Sequence, residues 1–204
     1  QYKGQTPVAD SLLGVRYIAD SADVSAYGYD RILEDSDTAL YGYENKNALS
    51  LFYGVSAAIA ELDLDEQHYS VDPFTKMNEI ITAMLGETET VEVWKPIKAT
   101  LDLSNTREST IKATEDYPRH EKFVADNAER SADVTYSFNG AGEDNPIFCV
   151  FPSVYGSTGQ IMFNNVELAK YKSEAVEHTI ALGALPTDAE ATLKVILTED
   201  KPFY

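Results

Sequence analysis

The sequence predicts a mainly β fold: an antiparallel β-sandwich of jelly-roll type in the C-terminal part, preceded by an α+β portion with one clear helix near residues 72–85. Three observations lead there. From residue 90 onward, short apolar runs such as "TLDL", "KFVAD", "DVTYSF", "PIFCVFP", "QIMFNNVEL", "HTIALG" and "ATLKVIL" are broken by Pro, Gly and Asn at fairly regular intervals, as in sandwiches of short strands. Within those runs Val134, Tyr136 and Phe138, and again Leu193, Val195 and Leu197, keep the period of two that buries one face of a strand. The clearest 3.6-residue spacing lies in "VDPFTKMNEIITAMLGE", where Phe74, Met77, Ile81 and Met84 or Leu85 form one stripe.

Each element has a local reason. Residues 12–19, "LLGVRYIA", read as a buried strand with a Gly inside it. Residues 21–36 are mixed and polar, and their Tyr27-Gly28-Tyr29 is repeated as Tyr41-Gly42-Tyr43, a spacing that places both tyrosines of a pair on one strand face. The polar knot from Glu44 to Asn47 is then expected to turn between two strands, the second being "ALSLFYGVS". For the helix, Asp72 is a suitable N-cap, Pro73 fits the first turn and Gly86 the C′ position. "VEVWKPI" reads as a strand, and Asn164-Asn165 as a two-residue hairpin turn. A division into 1–130 and 131–204 is conceivable, or one continuous domain, since no Pro/Gly/Ser linker marks residue 131.

Composition excludes several functions. The chain has 204 residues, 44% hydrophobic and 25% charged, which is ordinary globular usage. Its 34 acidic against 16 basic residues give a formal charge of −18, a surface that repels nucleic acid and anionic bilayers alike, because both are gripped by Lys and Arg. No nucleic-acid partner is expected. The single Cys149 lies in an apolar run and reads as a small buried hydrophobe. No window reaches the ~18 apolar residues of a membrane span, no signal-peptide core opens the chain, and the piece reads as cut from something larger.

The search for chemistry returns little. His68, His120 and His178 are far apart, and none has a second ligand at metal spacing. A nucleophile elbow, a P-loop and a dinucleotide Gly-rich turn are all missing. No cofactor and no catalytic residue is expected. The acidic groups Asp35-Ser36-Asp37 and Asp63-Leu64-Asp65-Glu66 have the oxygen donors of a hard-cation site, but in so acidic a chain such groups also arise by chance. With 13 Tyr, 8 Phe and the single Trp94, flat apolar faces are plentiful, suited to sheet cores and to sugar rings.

The order of the segments is more specific than any one of them. "SLLGVRYIAD", "LYGYENKNALSLFYGVS", "DPFTKMNEIITAMLGE" followed by "VWKPI", then "PIFCVFPS", "IMFNNVEL" and "TIALG" together resemble the extracytoplasmic domain of the YfhO family of bacterial multi-spanning membrane proteins. The resemblance runs from about residue 11 to the end of the chain. Ser50 departs from the family's Pro, Arg16 from its Lys and Asn165 from its turn Gly.

The resemblance implies a parent of the GT-C glycosyltransferase type in a Gram-positive bacterium's cell membrane. Such a parent would move a sugar from a polyprenyl-phosphate carrier onto a cell-envelope polymer such as lipoteichoic acid. It further implies that this chain is a non-catalytic domain on the extracytoplasmic face, with its own transmembrane portion as first partner and an envelope glycopolymer or carbohydrate as second. Lipoteichoic acid is a polyanion, so a direct grip requires a local basic spot. Trp94, Lys95 and Lys98, or Arg119, His120 and Lys122, are the candidates. A free-standing carbohydrate-binding β-sandwich is the alternative, and a glycosidase with two facing carboxylates is a third reading.

Overall fold

The structure is a computed structural model that describes residues 6–21, 24–50, 52–62, 73–111, 120–127, 129–151, 158–172 and 178–197. It is mainly β and antiparallel. The C-terminal half holds a five-stranded sheet in the order β10-β9-β12-β7-β4, built from β4 (Thr100–Ser104), β7 (Ala132–Asn139), β9 (Thr158–Phe163), β10 (Val166–Lys172) and β12 (Glu190–Leu197). Two hairpin-like pairs accompany it: β5 (Thr106–Ile111) with β6 (His120–Ala125), and β8 (Gly142–Phe151) with β11 (His178–Leu185).

The period-two expectation holds where the core is densest. On β12 the residues alternate between buried and half-buried along its length. Val195 stands in register with Val134 on one side and Ile161 on the other, and all three are fully buried. At about 1.5–3 kcal/mol for each fully buried aliphatic side chain, this row anchors the sheet. Ile147 of β8, Leu182 of β11 and Phe123 of β6 join the same cluster from the other strand pairs, so the three C-terminal sheets share one core in a sandwich-like arrangement.

At the β9–β10 turn Asn164 and Asn165 both have positive φ, 47° and 67°. This is the backbone of a type I′ hairpin, with Asn in place of the Gly that would enter it most freely. Gly140, just after β7, passes so close to the carbonyls of Pro186 and Leu185 that no Cβ fits.

The N-terminal part differs from expectation in four places. Residues 12–19 are not one strand. Helix α1 (Pro7–Leu12) precedes β1 (Tyr17–Asp20), because Thr6 caps the helix by accepting from the Ala9 N–H at 3.2 Å and Pro7 sits in the first turn. Gly14, at φ 69°, closes it: its N–H donates to Ser11 O, and that of Val15 to Asp10 O, a Schellman motif.

The knot after Glu44 joins no pair of strands. The hairpin of this region lies earlier, between β2 (Asp30–Asp35) and β3 (Leu40–Glu44), in a sheet ordered β1-β3-β2. Residues 48–50 and 52–56 are irregular and lead into a 3-10 turn, Ala57–Glu61. Of the two Tyr-Gly-Tyr pairs, only Tyr41 and Tyr43 share a strand, with ring centroids 6.4 Å apart. Tyr27 ends a 3-10 turn, Ser25–Tyr27, and Gly28 takes φ 86°.

Finally, "VEVWKPI" forms no strand; it is an irregular strap along helix α2 (Pro73–Leu85). Four of its backbone polar groups, Val91 N–H, Val93 N–H, Trp94 N–H and Trp94 O, are satisfied by helix side chains instead of a ladder. The helix itself agrees with expectation. Gly86, at φ 71°, ends it with Gly86 N–H on Ala83 O and Glu87 N–H on Thr82 O. The proposed cap, Asp72, lies outside the described residues.

Candidate functional site

Two buried asparagines organise the N-terminal half. Asn45 is 1% exposed. Its Nδ2 donates to Ser11 Oγ and to Val15 O, both at 3.2 Å, and its Oδ1 accepts from Asn47 N–H at 3.0 Å. Its backbone N–H donates to Arg16 O at 2.7 Å. The polar knot is therefore a staple that ties the end of β3 to the loop between α1 and β1. Nearby, the Tyr29 hydroxyl donates to the buried Asp10 carboxylate at 2.6 Å, and Lys46 forms an ion pair with Asp30. Hydrogen bonding to Asp30, and then its charge, raise the Lys46 pKa above the ordinary lysine value.

Asn78 does the same work for α2. Its Oδ1 accepts from Val93 N–H at 2.9 Å and Trp94 N–H at 2.8 Å, while Nδ2 donates to Trp94 O at 2.8 Å. One turn on, Thr82 Oγ1 donates to Asn78 O at 2.7 Å and accepts from Val91 N–H at 2.8 Å. A strap without strand partners would otherwise leave these backbone groups unpaired, and a buried unpaired group costs about 1–3 kcal/mol. Asn78 lies in "DPFTKMNEIITAMLGE", one of the segments that carry the family resemblance, so what the sequence presents as a motif is a clasp.

The clasp fixes Trp94 at the centre of an aromatic cluster. Its ring centroid is 5.0 Å from Phe74 and 5.2 Å from Phe148, the latter edge-on at 84°. Tyr27 adds a contact to Phe148 at 5.7 Å. Four elements meet here: a 3-10 turn, α2, the strap and β8. The indole Nε1 is buried and has no hydrogen-bond partner among the described residues, so Trp94 is held for its ring faces.

The cluster forms one wall of a cleft of about 1680 Å³ between the α2–strap unit and the sandwich. Phe123, Ile147, Leu182 and Leu193 lie at its floor, and Glu79, Glu92, Glu143, Asp144 and Lys95 are its described charged lining.

Of the basic candidates, Lys95 is exposed on the cleft and Lys98 is exposed but does not line it. His120 and Lys122 fall on β6, paired in register with Ile111 and Ser109; Arg119 and the two side chains lie outside the described residues. The structure brings Trp94 and Lys95 together with acidic groups and aromatic rings. No hint of Asn45, Asn78, Asp10 or Phe148 as organising residues came from periodicity or spacing, since each acts on partners distant in sequence.

The acidic pair Asp35 and Asp37 belongs to the β2–β3 turn. The Asp35 carboxylate accepts from Thr38 Oγ1 at 2.7 Å and from Asp37 N–H at 3.0 Å. These bonds, Thr38 first, hold its pKa below the usual value. The acidic group from Asp63 to Glu66 lies outside the described residues. Cys149 is half-buried against the sandwich core, and desolvation pushes its thiol up to about 12, the reverse of an activated nucleophile.

No described helix is long and apolar enough to cross a membrane. The chain matches no curated protein and no solved structure. A family described as bacterial membrane protein YfhO matches residues 1–202. With nearly every residue inside that match, the clasped α2–strap unit and the sandwich beside it are the fold of a family domain, and the chain belongs to the YfhO family of bacterial membrane proteins.

Proposed function

We propose that this chain is an extracytoplasmic accessory domain of a multi-spanning membrane glycosyltransferase. The parent transfers a sugar from a polyprenyl-phosphate carrier onto a cell-envelope polymer such as lipoteichoic acid, and the domain itself makes no bond. Its partner is the transmembrane portion of its own chain, and its place is the outer face of the cell membrane.

The observation that carries this reading is how the family-bearing segments are used. Asn45 of "YEN" and Asn78 of "PFTKMN" direct their side-chain hydrogen bonds to protein groups among the described residues. Residues so engaged hold a scaffold in shape; they are not free to meet a substrate. The one thiol is driven away from its reactive form. Such a domain positions an acceptor or shields a catalytic centre located elsewhere.

The aromatic wall of the cleft favours a second reading, a free-standing carbohydrate-binding module. Deleting the domain from the full-length protein in its membrane separates the two. The accessory role predicts that sugar transfer falls although the membrane portion is still made and inserted. A free-standing module predicts instead saturable sugar binding by this chain with no membrane portion attached.

A further inference from the structure

The charges around the cleft are lopsided. Glu92 on the strap and Glu143 and Asp144 at the start of β8 are exposed, and no described Lys or Arg pairs with them. Glu79, the fourth carboxylate of the lining, is held by Lys76 at 3.1 Å. Lys95 is the only cation among the described lining residues. Beneath this rim lie apolar side chains from the five-stranded sheet and both strand pairs, Phe123, Ile147, Leu182 and Leu193, and beside it the rings of Phe74, Trp94 and Phe148.

We propose that the cleft is a docking groove for a cationic segment of polypeptide in which Lys or Arg alternates with apolar residues. Three features select that occupant. At about 1680 Å³ the cleft exceeds the roughly 300–1,000 Å³ of a small-molecule pocket, so a peptide segment matches its size better than a single ring system. The apolar floor seats apolar side chains, while the uncompensated carboxylates complement ammonium or guanidinium groups and repel a polyanion. A neutral sugar could donate hydroxyls to Glu92, Glu143 and Asp144 but would leave their negative charge uncompensated. This docking goes beyond the accessory role and does not depend on which bond the parent makes.

Trp94 is the only tryptophan of the chain and stands in the wall, so its emission reports occupancy. The test titrates the whole 204-residue chain with a blocked peptide, Lys-Leu-Lys-Phe-Lys-Leu-Lys, and with the same peptide carrying Glu at each Lys. The Lys peptide is expected to shift Trp94 emission saturably, and its affinity to fall roughly tenfold or more between low salt and a Debye length of about 3–4 Å. The Glu peptide is expected to be inert. The variant Glu92→Gln/Glu143→Gln/Asp144→Asn, checked for an unchanged thermal melt, should bind at least about tenfold more weakly. Asp35→Asn/Asp37→Asn, on the β2–β3 hairpin outside the cleft, should bind like the parent. The proposal is overturned by no saturable shift up to millimolar Lys peptide, by equal binding of the rim variant, or by equal losses in the rim and hairpin variants, which would reduce the effect to net charge.

Discussion

Asn78 and Trp94 are joined by hydrogen bonds running in both directions: Trp94 N–H donates to Asn78 Oδ1 and Asn78 Nδ2 donates to Trp94 O, each at 2.8 Å. A single buried amide thus fixes both backbone polar groups of one residue and, through them, the indole that ties helix α2 to strand β8. Replacing Asn78 with Ala removes three bonds and leaves backbone groups unpaired. Urea unfolding should show a loss of about 2–4 kcal/mol. Asn78→Asp should be nearly as damaging, because a carboxylate oxygen then faces Trp94 O. A loss under about 0.5 kcal/mol for both would mean that the strap is not held by this clasp.

Asn45 plays the equivalent part at the other end of the N-terminal half. Asn45→Ala should cost about 2–3 kcal/mol, since Ser11 Oγ, Val15 O and Asn47 N–H all lose a partner. Proteolysis should then cut first near the loop between α1 and β1. Equal protease resistance in variant and parent would count against the staple.

For Trp94 the ring matters and the N–H does not. Trp94→Phe should stay within about 1.5 kcal/mol of the parent, whereas Trp94→Ala should cost about 3–5 kcal/mol. Thermal melts followed by circular dichroism distinguish the two. Equal losses would show that the indole nitrogen has a partner that matters.

Cys149 supplies a pH test. Its folded pKa, about 12, lies above the unfolded reference of 9.0. The unfolded chain therefore releases this proton first, so stability is untouched below pH 9 and declines as pH rises from there toward 12. Cys149→Ala should flatten that alkaline decline. At pH 8 the folded thiol should react with a maleimide or disulfide reagent far more slowly than the same thiol in urea; equal rates would contradict its burial.

Much of the sandwich was legible because its signal is local. Period two on residues 191–197 and 132–138, and the Asn pair at 164–165, state their faces and their turn within a few residues of themselves. The N-terminal half was misread where long-range bonds overrule local pattern. "LLGVRYIA" has a strand's composition, yet Thr6, Pro7 and Gly14 build and end a helix across its start. "VEVWKPI" alternates like a strand, yet Asn78 and Thr82 supply the partners that a ladder would have given it. The knot after Glu44 looked like a turn because Asn favours turns, and Asn45 does make one; its larger role depends on Ser11 and Val15, some thirty residues earlier. Of the candidate site, Trp94 and Lys95 were legible as an aromatic beside a rare positive charge. The carboxylate rim was not, because Glu79, Glu92, Glu143 and Asp144 come together only through the fold.

Sugar transfer itself bears most directly on the division of labour proposed for this domain. Membrane vesicles holding the full-length protein and the purified 204-residue chain, each given a radiolabelled polyprenyl-phosphate sugar and an envelope-polymer acceptor, should differ completely. Label should reach the acceptor in the vesicles and never with the purified chain. Transfer or glycan cleavage by the purified chain alone would place the chemistry in this fold and contradict the account.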